Sequence, residues 1–156
     1  MLGLIACNDS EKAKGQEQTS RLSDSLALVD LFNSTDGNNW NHKDGWLTNK
    51  PLEEWHGIKM LNGRVTEIRL LANRLTGKIP ESIGNLSNLE LLCLCDNQLT
   101  GEIPESMGEL SKLKTFHLNN NRLSGEIPDK LLSKFKGKKD SFCPQKGTKF
   151  DNFDCK

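Results

Sequence analysis

The chain has no excess of charge of either sign: 21 basic and 21 acidic residues leave a formal net charge of +0. That balance gives no electrostatic case for nucleic acid, whose binding needs clustered Lys and Arg. The one basic run, Lys130, Lys134, Lys136, Lys138 and Lys139, reads as a solvated stretch near the end of the chain. There is no apolar run long enough to cross a bilayer. Also missing are a G-x-S-x-G elbow, a phosphate loop, an H-E-x-x-H helix and a C-x-x-C pair. The three histidines, His42, His56 and His117, stand far apart, so no hydrolytic triad assembles from the spacing. These absences argue for a binding module rather than an enzyme, with no catalytic residue, cofactor or resident metal expected.

What the chain does contain is repetition. "LTGKIPESIGNLSNLELLCLCDNQ" begins at Leu75, "LTGEIPESMGELSKLKTFHLNNNR" at Leu99 and "LSGEIPDKLLSKF" at Leu123, a period of 24 residues. Asn73, Asn97 and Asn121 share that period, as do Pro80, Pro104 and Pro128. Each unit carries L-x-x-L-x-L-x-x-N-x-L: Leu89, Leu92, Leu94, Asn97 and Leu99, then Leu113, Phe116, Leu118, Asn121 and Leu123. A looser first copy has Val65, Ile68, Leu70, Asn73 and Leu75. A unit of this size cannot bury its apolar face alone, and stacked units share one core.

The pattern resembles the leucine-rich repeat, and "LTGxIP" resembles its plant-type subclass and bacterial relatives. Polygalacturonase-inhibiting proteins, receptor ectodomains and secreted or lipid-anchored bacterial repeat proteins are of that kind. The resemblance covers roughly residues 22–136. It implies an α/β fold: a short solenoid with a parallel concave sheet, a helical N-terminal cap and an irregular C-terminal cap. The asparagines then satisfy backbone groups where the chain leaves each strand. Gly77, Gly101 and Gly125 allow the tight turn, and the prolines fix the return path.

With about three units, the caps must supply much of the stability. The apolar spacing in residues 22–32 predicts a helix, with Ser20 or Ser23 as its cap. Trp40, Trp46 and Trp55 are expected over the open end of the core. Trp55, Gly57, Ile58 and Gly63-Arg64-Val65-Thr66 resemble the N-terminal cap of plant-type proteins. Glu53 and Met60 stand where that cap has cysteines, so packing must replace its disulfide. The expected divisions are a lipoprotein signal remnant (1–7), a disordered tether (8–20), the N-terminal cap (21–64), the repeats (65–136) and the C-terminal cap (137–156).

"MLGLIAC" followed by a wholly polar stretch resembles the end of a bacterial lipoprotein signal. Leu4-Ile5-Ala6-Cys7 fits the lipobox. The expectation is a lipid anchor at Cys7, contact with membrane only through it, and residence at the outer membrane or cell surface of a bacterium. Cys143 and Cys155 are expected to form a disulfide pinning the C-terminal segment.

The register assigns the outward-facing columns of the concave sheet. They are Glu67, Leu91 and Thr115; Arg69, Cys93 and His117; Leu71, Cys95 and Asn119; and, beside them, Ala72, Asp96 and Asn120. Leu71, Leu91, Cys93 and Cys95 would form an apolar strip. Glu67, Arg69, Asp96, Thr115, His117, Asn119 and Asn120 would surround it with polar groups. Exposed apolar strips usually mark contact surfaces. The favoured function is recognition of a protein or glycan by a monomer. A spacer role without a ligand and a metal or redox site at Cys93, Cys95 and His117 are the alternatives. Both thiols are expected to be reduced, since bridging i and i+2 on one strand is strained.

Overall fold

A computed structural model describes residues 5–135, 137–147 and 150–151, with side chains left undescribed for residues 5–11 and 139. Helix α1 (Ile5–Ser34) leads into the cap loop, followed by strands β1 (Ile58–Leu61) and β2 (Arg64–Arg69). The repeats then supply β3 (Leu91–Cys93), β4 (Thr100–Gly101), β5 (Thr115–His117), β6 (Arg122–Leu123) and α2 (Asp129–Lys134). The main sheet has the order β1-β2-β3-β5. β1 is antiparallel to β2, whereas β2, β3 and β5 run parallel, with Ile68, Leu92 and Phe116 side by side. This is the expected solenoid. The 24-residue spacing is the register itself, and a second parallel pair, β4 with β6, forms on the return side.

The core is one stack. Leu70, Leu94 and Leu118 are fully buried, as are Leu75, Leu99 and Leu123. Short 3₁₀ turns at Glu81–Asn85 and Glu105–Glu109, and α2 in the same place one period later, return the chain. At Gly77, φ is 76°, and a Cβ would lie 2.3 Å from the Ser34 carbonyl oxygen. Only glycine fits there.

The asparagines form a ladder. Asn97 Oδ1 accepts from the N–H groups of Asn73 and Leu75, and its Nδ2 donates to the carbonyls of Leu70, Leu94 and Cys95. Asn121 Oδ1 accepts from Leu99 N–H, and its Nδ2 donates to Leu94, Leu118 and Asn119. At the N-terminal end, Asn73 exchanges hydrogen bonds with the His42 backbone at 2.6 and 2.8 Å.

Both caps differ in part from expectation. α1 runs through residues 8–20, where a disordered tether is expected, because this stretch is rich in good helix formers and has no proline. Ser20 and Ser23 therefore lie within the helix rather than at its start. Its buried residues are Asp24, Ala27, Leu28, Leu31 and Phe32, while Leu22 and Leu26 are 59% and 56% exposed. Asp24 can be buried because Arg64 meets it: two nitrogens of Arg64 donate to the carboxylate at 2.9 and 2.8 Å, and Val65 N–H adds a third bond. Arg64 keeps its charge more firmly for this, mainly through the Asp24 hydrogen bond.

Phe32, Trp40, Trp46 and Trp55 close the N-terminal end with ring centroids 4.9–5.8 Å apart. Each indole N–H finds a carbonyl, those of Thr35, His56 and Lys50. Met60 packs against the core where the resembling caps have cysteine.

The C-terminal cap is less irregular than expected. Leu118 N–H donates to Ser141 and Asn120 N–H to Pro144, continuing the bonds that Leu94 and Asp96 make to His117 and Asn119. Gln145, one period beyond Asn121, accepts from Leu123 N–H and donates to the Leu118 carbonyl. Residues 141–145 are thus a degenerate fourth rung. Phe142 is fully buried within it. Cys143 lies in this rung and is disulfide-bonded; its expected partner, Cys155, lies outside the described residues.

Candidate functional site

The three parallel strands place the expected columns as the register requires. Glu67, Leu91 and Thr115 stand side by side, as do Arg69, Cys93 and His117. Each strand contributes only three residues in register before the chain turns out. Asp96 and Asn120 then adopt the left-handed conformation, at φ of 57° and 58°, with Ala72 matching at 51°. Asp and Asn tolerate that region better than most residues, because their short polar side chains bond locally.

The face divides by chemistry. At the N-terminal edge, Glu67 accepts from Arg69 Nε at 2.8 Å and from Lys59 Nζ at 3.2 Å. The Arg69 hydrogen bond, with Lys59 adding to it, holds the Glu67 carboxyl below the usual range. On the turn side, Asn120 Nδ2 donates to Asp96 Oδ1 at 2.9 Å. Between these lie Leu71, 55% exposed, and the half-buried Leu91 and Cys93. Thr115, His117 and Asn119 continue the face, all half-buried.

One expected member is not on this surface. Cys95 is only 8% exposed. β3 ends at Cys93, so Cys95 lies beyond the regular strand. The Ala72 N–H and the Asn97 amide both take the Cys95 carbonyl, which draws this segment into the ladder. The short side chain then stays beneath the surface. The apolar strip is therefore Leu71, Leu91 and Cys93, with Cys95 behind it.

Both thiols are free, as expected, with their sulfurs 3.0 Å apart. Burial first, then the hydrogen bond with Cys93, pushes the Cys95 thiol up to about 12. Among the described residues, no three His, Cys, Asp or Glu side chains converge to hold a metal, and Cys93, Cys95 and His117 form no such group. Elsewhere, the exposed rings of His42 and His56 approach to 5.1 Å in the cap loop, although 14 residues separate them in sequence. A return-side hollow of about 760 Å³ is lined by carboxylates, including Glu81, Glu102, Glu126 and Asp151. No short-range pattern signals either feature.

Parallel three-residue strands, an asparagine ladder and 3₁₀ returns at one period define a short leucine-rich repeat solenoid. Residues 63–123 match the family model described as Leucine rich repeat, so the repeat region is of this family. Among solved structures, the chain is similar to PEPR1 in its structure with AtPEP1, at 29% identity and a TM-score of 0.61. That match covers 71% of this chain and 16% of PEPR1. The ectodomain of the receptor kinase SOBIR1 from Arabidopsis thaliana gives 24% identity and 0.59, covering 82% of this chain and 68% of that one. A leucine-rich repeat protein from Bacteroides eggerthii gives 18% and 0.60, covering 67% and 30%. The latter two likenesses show the fold alone. No curated protein matches the chain in sequence.

Proposed function

We propose that this is a non-enzymatic module that binds a protein through the concave sheet, at the strip formed by Leu71, Leu91 and Cys93. The observation that carries this is the apolar share of the face: the exposed Leu71 and the half-buried Leu91 and Cys93, set among the Lys59–Glu67–Arg69 charges and the Asp96–Asn120 pair. An apolar centre with a hydrogen-bonding rim is how protein interfaces are generally built. Solenoids of stacked repeats use their concave surfaces in this way. PEPR1 in its structure with AtPEP1 supports a protein partner over a glycan. The test is Leu71→Glu with Leu91→Glu, in a chain whose circular dichroism is unchanged. Affinity for the captured partner should fall at least tenfold, and undiminished binding would refute the assignment.

The place of action we propose is a bacterial envelope, with Cys7 carrying the lipid; the Leu4-Ile5-Ala6-Cys7 lipobox supports it. The exposed helical residues 12–19 would then act as a stalk between lipid and cap. A fatty-acid analogue should label the wild type in its host and leave Cys7→Ser unlabelled. Equal labelling of the two would exclude the anchor. Anchorage in an oxidising compartment would favour the Cys143–Cys155 bridge.

A further inference from the structure

We infer that Cys93 and Cys95 form a dithiol redox site, closing to an intramolecular disulfide by exchange with a small dialkyl disulfide such as oxidised glutathione. Their sulfurs are already 3.0 Å apart, about 1 Å beyond the ~2.04 Å of a bond. Two residues along a strand, their Cα atoms stand near 6.6 Å at full extension, within the roughly 6.8 Å that disulfides span. The local backbone helps, because β3 stops at Cys93 and the chain turns at Asp96. The 3.0 Å approach itself shows that the two side chains converge here rather than standing parallel as in a flat pleat. Neither cysteine belongs to the main hydrophobic cluster among the described residues.

The two thiols are unequal, which assigns their order of reaction. Cys93 is half-buried on the concave face, between Arg69 and His117 on the neighbouring strands. Cys95 is 8% exposed and held as a thiol by its burial. Cys93, as thiolate, attacks one sulfur of the dialkyl disulfide, and that S–S bond breaks with loss of one thiolate. Cys95 then gives up its proton and attacks the Cys93 sulfur of the mixed disulfide, expelling the second thiolate. Two protons and two electrons pass from the dithiol to the small disulfide, which leaves as two thiols. The site is independent of whether the same face binds a protein.

The folded chain is equilibrated in glutathione buffers of rising oxidised fraction, quenched in acid, alkylated and cut with trypsin. Both cysteines fall in the one tryptic peptide spanning residues 79–112. In the oxidised buffers the wild-type peptide should lose two hydrogens and both labels, and dithiothreitol should restore both. Cys95→Ser should stop at a glutathione adduct on Cys93, and Cys93→Ser should form neither product. Two alkylated cysteines in the wild type at every ratio would overturn the inference. So would oxidation that yields only bridges between chains or to other cysteines. The wild-type arm decides the matter even if a variant fails to fold.

Discussion

Asn97 takes up five backbone groups: the N–H of Asn73 and of Leu75, and the carbonyls of Leu70, Leu94 and Cys95. Two of them have a further partner, since the Cys95 carbonyl also accepts from Ala72 N–H and the Leu94 carbonyl from Asn121 Nδ2, which leaves Asn73 N–H, Leu75 N–H and the Leu70 carbonyl to Asn97. The residue is 2% exposed, so water cannot replace the lost partners. An orphaned buried group costs about 1–3 kcal/mol. Asn97→Ala should therefore destabilise the chain by at least ~3 kcal/mol, a large share of the ~5–15 kcal/mol that holds a typical domain. Gln145 performs the same service at the solvent-facing end, where it is only half-buried. Gln145→Ala should cost about 1–2 kcal/mol, since water reaches the freed groups. Urea midpoints should fall in the order wild type, Gln145→Ala, Asn97→Ala. Equal midpoints for the two variants would mean that burial along the ladder does not matter.

The element most dependent on a single partner is α1. Its buried face carries Asp24, fully enclosed, and Arg64 at the start of β2 neutralises it with two hydrogen bonds. Arg64 also donates to Ser87 Oγ, so one guanidinium joins the cap helix to the second repeat. Removing one partner of a buried ion pair leaves the other uncompensated, at about 3–5 kcal/mol. Asp24→Ala should cost about 3 kcal/mol, at the low end because Arg64 retains some access to solvent. Loss should appear first as amide exchange in α1 and β2, and uniform loss across the repeats would contradict this local role. The same pair explains why the helix was only partly legible. Residues 22–32 announce a helix with apolar residues on two sides, Leu22 and Leu26, which are exposed, and Leu28, Leu31 and Phe32, which are buried. Asp24 marks the right one only once Arg64, 40 residues away, is known to meet it. By contrast the register of β2, β3 and β5 was legible, because repetition at one period fixes it directly.

The molecule as a whole is a repeat stack closed at both ends by something other than a full repeat. The N-terminal closure is aromatic, and its tryptophans could be read in sequence as cap residues. The C-terminal closure was harder to see, although Gln145 falls one period after Asn121. Gly137, Asp140 and Gly147 occupy the positions where the other units carry apolar residues, so the motif fades while its hydrogen bonds persist. The concave columns were legible for the same reason as the strands. Cys95 keeps its place beside Cys93, with the sulfurs 3.0 Å apart, but alternation alone does not tell that it is covered to 8% exposure. What remains is a small solenoid with one polar-rimmed apolar strip on its concave sheet, and protein recognition there is the central claim. The most direct measurement is photo-crosslinking in the host cell from a benzophenone amino acid at position 91. The same probe at position 105, exposed on the return side, is the control. The account predicts a discrete protein adduct from position 91 and none from position 105. Adducts from 105 alone, or equally from both, would contradict it, as would no adduct from 91 in a folded, correctly located chain.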